Sequence, residues 1–92
     1  MATLVVRHKV EDYAKWKVGY DDAQVLARKS GVKHARVLRS ADNPNEVIVV
    51  EEFDEMGKAR QFAQSEDLKQ VMQKAGVSDH PDFYFVDEVD AY

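Results

Sequence analysis

The 92-residue chain contains no cysteine. Disulfide bonds, zinc–thiolate sites and cysteine nucleophiles are therefore excluded. Glycine and proline are scarce, with four and two residues, and no linker, repeat or low-complexity tract is present. No run of one charge sign forms a polybasic membrane patch, and no apolar stretch is long enough to span a bilayer. A net charge of −4 argues against general nucleic-acid binding, which needs a basic face.

The motifs of several large enzyme classes are also missing. There is no Gly-rich phosphate loop, no nucleophile elbow and no dinucleotide fingerprint. The first predicted strand begins almost at the N-terminus with no signal peptide before it, so we expect a cytoplasmic protein. The length and an apolar content of 45% suit one globular domain over residues 1–92.

Hydrophobic periodicity predicts four strands and two helical regions. The strands are expected at Thr3 to Val10, Val32 to Ser40, Glu46 to Phe53 and Asp82 to Val89. Between the first two strands, one helix begins near Asp12, where negative charge suits a helix start. It ends before Gly31, which suits a left-handed C′ position. Asp54 is the expected cap of the second helical region, and Ser65 is expected to cap a new helix within it.

The predicted order is β-α-β-β-α-β, the ferredoxin-like arrangement of an α+β protein. Its four-stranded antiparallel sheet carries both helical regions on one face. The segment Val47 to Val50 is apolar at every position, so both faces of this strand should be covered. A second copy packed on the open face is the simplest cover, and we expect a homodimer.

The chain resembles the dimeric α+β barrel superfamily of antibiotic-biosynthesis-monooxygenase-like proteins. The resemblance covers nearly the whole chain and rests on four combined segments. They are Val10 to Tyr13 running into Trp16 and Tyr20-Asp21, then Gly31-Val32, the segment Asp42 to Val47, which begins with a turn signal, and Glu51 to Asp54. It implies two ferredoxin-like sheets packed face to face, with a pocket between sheet and helices in each subunit. Members include cofactor-independent monooxygenases acting on phenolic polycycles, haem-degrading enzymes, small isomerases and cyclases, so fold is implied more strongly than chemistry.

Six residues are candidates for chemistry. His8 and His34 are predicted on strands and could act as general bases near neutral pH, and Arg36, in phase with His34, could stabilise an anion. Tyr13, Trp16 and Tyr20 form a stripe at helical spacing that could line a flat aromatic pocket. Each has a structural alternative: strand-end histidines satisfied by hydrogen bonds, inter-subunit ion pairs for the arginine, and core packing for the aromatic stripe.

Other potential sites find less support in the sequence. The three histidines have no metal-ligand spacing, so we expect no metal. Glu51 and Glu52 are neighbours on a strand and point to opposite faces, so they form no acid–base pair. The asparagine, tryptophan and histidine set of haem-degrading relatives is not evident, and we expect no cofactor.

Three functions remain open. The first is a cofactor-independent monooxygenase or isomerase acting on a small aromatic or phenolic compound. The second is a non-catalytic dimeric small-molecule-binding or stress-response module. The third is a protein that binds haem or another coloured group.

Overall fold

A computed structural model describes residues 2–78 and 80–92. These residues form four strands and four helices, which follow one another in the order β-α-α-β-β-α-α-β. They are β1 (Ala2–Lys9), α1 (Tyr13–Asp22), α2 (Gln24–Lys29), β2 (Val32–Arg39), β3 (Glu46–Phe53), α3 (Met56–Gln64), α4 (Glu66–Lys74) and β4 (Asp82–Asp87). The predicted ferredoxin-like α+β fold is confirmed.

The strands form one antiparallel sheet in the order β2-β3-β1-β4. The turn predicted around Asp42 to Asn45 joins β2 to β3, with Ser40 N–H donating to the Glu46 carbonyl. Asn45 also connects this turn to α1, because its Oδ1 accepts from the Tyr13 backbone N–H at 3.1 Å. The turn therefore holds the start of α1 against the end of β1.

Side chains alternate between two unlike faces of the sheet. On β1 and β3, every second residue is buried beneath the helices, from Leu4 and Val6 to Val47, Val49 and Phe53. The intervening residues face away from the helices. They make up what we call the open face: Thr3, Val5, Arg7, His34, Arg36, Leu38, Glu46, Ile48, Val50, Glu52, Asp82, Tyr84 and Val86.

The first helical region is two short helices, where the sequence predicted one. α1 begins with a capping bond from Asp12, whose side chain accepts from the Ala14 N–H at 2.9 Å. It ends at Ala23. The side-chain amide of Gln24 donates to the Tyr20 carbonyl at 3.3 Å, an oxygen that an unbroken helix would give to the Gln24 backbone N–H. Gly31 adopts a φ of 106°, as its expected C′ role requires.

The second helical region is divided where the sequence predicted. Ser65 caps α4, accepting from the Leu68 N–H at 3.1 Å. Asp54, however, does not cap α3. Glu55 occupies the N-cap position without a side-chain hydrogen bond, and Asp54 lies near the Lys33 ammonium at 3.5 Å. That prediction was wrong because the helix starts one residue later than the charge pattern indicated.

Strand ends differ from the prediction by one or two residues. Val10 pairs with Val77 in an isolated bridge beyond the end of β1, and β4 ends at Asp87 instead of Val89. Within the described ranges, no helix has the length and apolar content needed to cross a membrane.

Candidate functional site

A cavity lies between the helix-covered face of the sheet and the four helices. About 550 Å³ in and around it is not filled by atoms, and this figure includes open solvent at the mouth. The space that can hold the centre of a water molecule is about 50 Å³, well below the roughly 300–1,000 Å³ of small-molecule pockets. The lining is mostly apolar, with the polar residues His8, Tyr20, Gln24 and Glu51 among Val6, Trp16, Ala23, Leu26, Ala27, Val49, Phe62, Leu68, Val71, Met72 and Ala75.

An aromatic wall follows the inner side of α1. Trp16 is buried and stacks on Tyr20, with ring centroids 5.0 Å apart and planes inclined by 23°. Tyr13 lies 5.9 Å from Trp16 on its other side, and the Arg39 guanidinium covers the Tyr13 ring at 4.5 Å. Tyr13 does not line the cavity. Of the three predicted ring-binding residues, Trp16 and Tyr20 therefore line the cavity, whereas Tyr13 lies outside the lining and packs against Trp16.

His8 lies on the sheet directly beneath this wall. Its side chain is 4% exposed, and its ring centroid is 5.5 Å from that of Trp16. Neither ring nitrogen has a hydrogen-bond partner. An unsatisfied buried polar group costs about 1–3 kcal/mol, and the alternative of a strand-end histidine satisfied by a hydrogen bond does not describe His8. Burial lowers the pKa of His8 to about 4, and the imidazole is neutral at neutral pH.

Glu51 is the second titratable group on the cavity floor, and the sequence did not point to it. It is 5% exposed. In the part of the chain that the structure describes, no hydrogen bond or ion pair holds it. Burial raises the pKa of Glu51 to about 7. Burial, and after it the charge of Glu51, raises the pKa of Tyr20 above its ordinary value, so the phenol remains a hydrogen-bond donor.

His8 and Glu51 lie at opposite ends of the cavity. Val47 pairs with His8 and Leu4 with Glu51, so four residues separate the two groups along the antiparallel pair. At about 3.3 Å per residue this corresponds to roughly 13 Å of sheet. They therefore cannot act as a hydrogen-bonded pair.

His34 and Arg36 are not brought together with His8. They pair with Glu52 and Val50 of β3 and lie on the open face, so the sheet separates them from the cavity. The hypothesis that they share one site with the aromatic stripe is therefore wrong, because the two sets of residues lie on opposite faces of the sheet. The two residues are in phase with each other, as predicted, and both are exposed.

Glu51 and Glu52 point to opposite faces of the sheet, as predicted. The composition of β3 explains why the sequence analysis did not identify Glu51 as a site residue. The run Val47 to Val50 is apolar on both faces, so nothing in β3 indicates which glutamate points inward. The signal lies in the neighbouring strand. Once His8 is placed with Leu4 and Val6 on the core face, antiparallel pairing puts Glu51 on that face as well.

Metal ligands do not converge anywhere in the described ranges. No group of three or more histidine, aspartate or glutamate side chains there could hold an ion. The polar groups of the cavity instead suit hydrogen bonding and proton transfer with an organic molecule.

The chain is thus an α+β domain of ferredoxin-like order with an apolar cavity between sheet and helices. The family model of antibiotic biosynthesis monooxygenases matches residues 8–74, which include both His8 and Glu51. The chain belongs to this family. No curated protein matches it.

Solved structures show the same fold at low sequence identity. A proposed antibiotic biosynthesis monooxygenase from Bordetella bronchiseptica is 17% identical, with a TM-score of 0.82 and 96% of each chain covered. SnoaB, a cofactor-independent oxygenase from Streptomyces nogalater, is 15% identical, with a TM-score of 0.71, 96% of this chain and 94% of its own covered. The NE2512 protein of unknown function from Nitrosomonas europaea is 20% identical, with a TM-score of 0.76, 99% of this chain and 91% of its own covered.

Proposed function

We propose that the protein is a cofactor-independent monooxygenase whose cavity binds a small aromatic or phenolic compound. Membership of the family and the likeness to an oxygenase of this kind support the class of reaction. The observation that carries the proposal is His8, a buried imidazole with two unpartnered nitrogens at the end of an aromatic-walled cavity.

The chemistry requires a base and a substrate that supplies its own electrons. Removing a proton from an activated ring carbon gives an electron-rich anion that reacts with dioxygen. When that carbon is a CH2 group, one oxygen atom becomes its carbonyl oxygen, and the other leaves as water with the two hydrogens. His8 is neutral above its pKa of about 4 and can accept the proton. Trp16 and Tyr20 hold the ring in place.

Oxygen uptake tests this proposal directly. The probe is 1,8-dihydroxyanthrone, a phenolic tricycle with an activated CH2 group, and autoxidation in buffer is subtracted. We expect the wild type to consume oxygen, and His8→Gln and His8→Phe each to lose about 10²-fold in kcat/KM, the lower end of the usual contribution of a general base. Glu55→Gln changes an exposed residue outside the cavity and should keep the full rate. A wild type no faster than buffer, or folded His8 variants with full activity, would reject the proposal.

A non-catalytic binding module is the second candidate, and the low pKa of His8 favours it. An imidazole with a pKa of about 4 is a weak base at neutral pH, whereas general bases work best with a pKa near the working pH. Binding of phenols without oxygen uptake would identify this function.

We also propose that the protein is a homodimer formed through the open face. The helices cover only the other side of the sheet, and the open face retains apolar side chains, including half-exposed Leu38, Tyr84 and Val86. Its charges have both signs, and Arg7 already pairs with Glu46 and Asp82. A face of mixed charge with an apolar centre suits self-pairing about a twofold axis. In such a dimer, His34 and Arg36 would lie at the interface.

A further inference from the structure

Glu51 has no role in the proton abstraction proposed above, yet it is among the most deeply buried charged residues of the described chain. It lies on the floor at the opposite end from His8. Leu4 and Ala35 are its paired neighbours in the sheet. Burying a carboxyl group without a hydrogen-bond partner is costly, which makes a partner supplied by a ligand favourable.

Among residues 2–78 and 80–92, no cation pairs with this carboxyl group. The cavity lining contains neither lysine nor arginine. Arg39 is engaged with the Tyr13 ring, outside the lining. The residues that α3 and α4 present to the cavity are Phe62, Leu68, Val71, Met72 and Ala75, none of which titrates. The titratable groups that share the lining with Glu51 are His8 on β1 and Tyr20 on α1.

We propose that Glu51 determines the ligand class of the cavity by accepting a hydrogen bond from the hydroxyl group of a neutral aromatic compound and by excluding aromatic carboxylates. The inference rests on the proposed function, since it assumes that the cavity binds an aromatic molecule. Like charges forced together in a desolvated site cost several kcal/mol, whereas a hydroxyl donor satisfies the carboxylate. Arg36, the residue predicted to stabilise an anion, is on the other face of the sheet and cannot offset this repulsion.

The selectivity should depend on pH. Because the pKa of Glu51 is raised to about 7, the carboxyl group is ionised in slightly alkaline solution and protonated in slightly acidic solution. An aromatic carboxylate can bind beside the protonated form only, so its Kd should rise about tenfold per pH unit above the pKa. A neutral hydroxyl compound can bind beside either form and should show no such loss.

Calorimetric titration with 2-naphthol and 2-naphthoate tests the inference, because the two probes share one ring system and differ in charge. At about pH 8 we expect the wild type to bind 2-naphthol at least about tenfold more tightly than 2-naphthoate. Glu51→Gln should reduce this ratio severalfold and remove the pH dependence of naphthoate binding. Glu51→Leu should also weaken naphthol binding, because it removes the hydrogen-bond acceptor. Glu55→Gln is the control, because it makes the same change at an exposed residue outside the cavity and off the sheet, and it should behave as the wild type.

Equal affinity of the wild type for both probes, an unchanged ratio in folded Glu51→Gln, or no binding of either probe would each overturn the inference. Circular dichroism checks that the variants fold. The outcome is separable from that of the monooxygenase proposal. Selective binding without oxygen uptake supports the role of Glu51 and rejects the monooxygenase. Oxygen uptake by the wild type, together with unchanged selectivity in Glu51→Gln, supports the monooxygenase and rejects the role of Glu51.

Discussion

At the scale of single residues, the account depends on two buried groups whose pKa values move in opposite directions for the same physical reason. Desolvation disfavours the charged form of any side chain. It therefore lowers the pKa of His8 to about 4 and raises that of Glu51 to about 7. Both groups are neutral in the folded protein at mildly acidic pH. Each makes the stability of the fold depend on pH, with opposite sign.

Glu51→Gln should stabilise the protein relative to wild type as pH rises. A carboxyl group with a folded pKa of about 7 and an ordinary value of 4.5 binds its proton more tightly in the folded state. Its contribution to stability is present below the ordinary pKa and is lost as pH rises to the folded pKa. The free energy of unfolding of the variant minus that of wild type should therefore grow by up to about 3 kcal/mol between acid and pH 8. Urea denaturation across this range measures it, with Glu55→Gln as the exposed control. A constant difference would contradict the burial of an unpaired carboxyl group.

His8→Phe should show the opposite trend. Burial lowers the pKa of His8 from 6.5 to about 4 in the folded protein. The contribution of this shift to the free energy of unfolding is present above pH 6.5 and is lost as the pH falls to the folded pKa. The variant should gain stability relative to wild type by up to about 3 kcal/mol on acidification through this window. The same urea series measures it. A gain on raising the pH instead would show that His8 has a partner in solution.

The sequence identified His8, but not Glu51, as a candidate residue of the site. The pattern of β1 places His8 on one face with Leu4 and Val6, but it does not say which face the helices cover, because both faces of the strand carry apolar residues. The inward direction of Glu51 depends on the pairing register between β1 and β3, which the uniformly apolar run of β3 does not reveal. His34 could not be assigned to a face either, because both faces of β2 carry charged as well as apolar residues.

At the scale of elements, the cavity depends on how closely α1 approaches the end of α4. A Cβ atom added to Gly19 would lie 3.0 Å from the Ala75 Cβ. The helices therefore meet where Gly19 has no side chain, next to the cavity residue Tyr20. Gly57 in α3 is the opposite case, since an added Cβ there meets nothing within 4 Å.

Gly19→Ala and Gly57→Ala should consequently have different effects on stability. Alanine at Gly57 improves helix propensity and should stabilise by about 0.5–1 kcal/mol. At Gly19 the same gain is opposed by overpacking, which costs about 1–3 kcal/mol, so the variant should be neutral or destabilised. Thermal and urea unfolding of both variants measure the difference. Equal stabilisation by the two would mean that α1 and α4 are not in close contact.

The elements themselves were largely predictable, because most of their signals are local. Alternating side chains, or in β3 a continuous apolar run, identified the predicted strands, and Ser65 marked the break between α3 and α4. The break between α1 and α2 was not predictable from periodicity; there the Tyr20 carbonyl accepts from the Ala23 backbone N–H and from the Gln24 side-chain amide. The charge of Asp54 was a misleading cap signal because that side chain lies near Lys33 instead.

At the scale of the whole molecule, the two faces of the sheet have separate roles in this account. The helix-covered face forms the cavity, and the open face is the surface proposed to pair with a second copy. The apolar run of β3 contributes to both, with Val47 and Val49 inward and Ile48 and Val50 outward. A homodimer explains why a strand of so small a domain is apolar on both sides.

Val50→Asp should therefore convert the dimer into a monomer. Val50 lies on β3, one of the two central strands of the sheet, and faces the open side, so its replacement would bury two like charges near a twofold axis. Light scattering at micromolar concentration measures the mass. Val25→Asp alters a valine of α2 that is 63% exposed and should leave the dimer intact. A monomeric wild type would reject the dimer.

The central claim is that the helix-side cavity is the binding site, with His8 at one end and Glu51 at the other. A crystal structure of the protein with bound 2-naphthol tests it most directly. The account predicts the ring system against Trp16 and Tyr20, with the hydroxyl oxygen within hydrogen-bond distance of the Glu51 carboxyl group. A naphthol bound on the open face beside His34 and Arg36, with the cavity unoccupied by ligand, would contradict it.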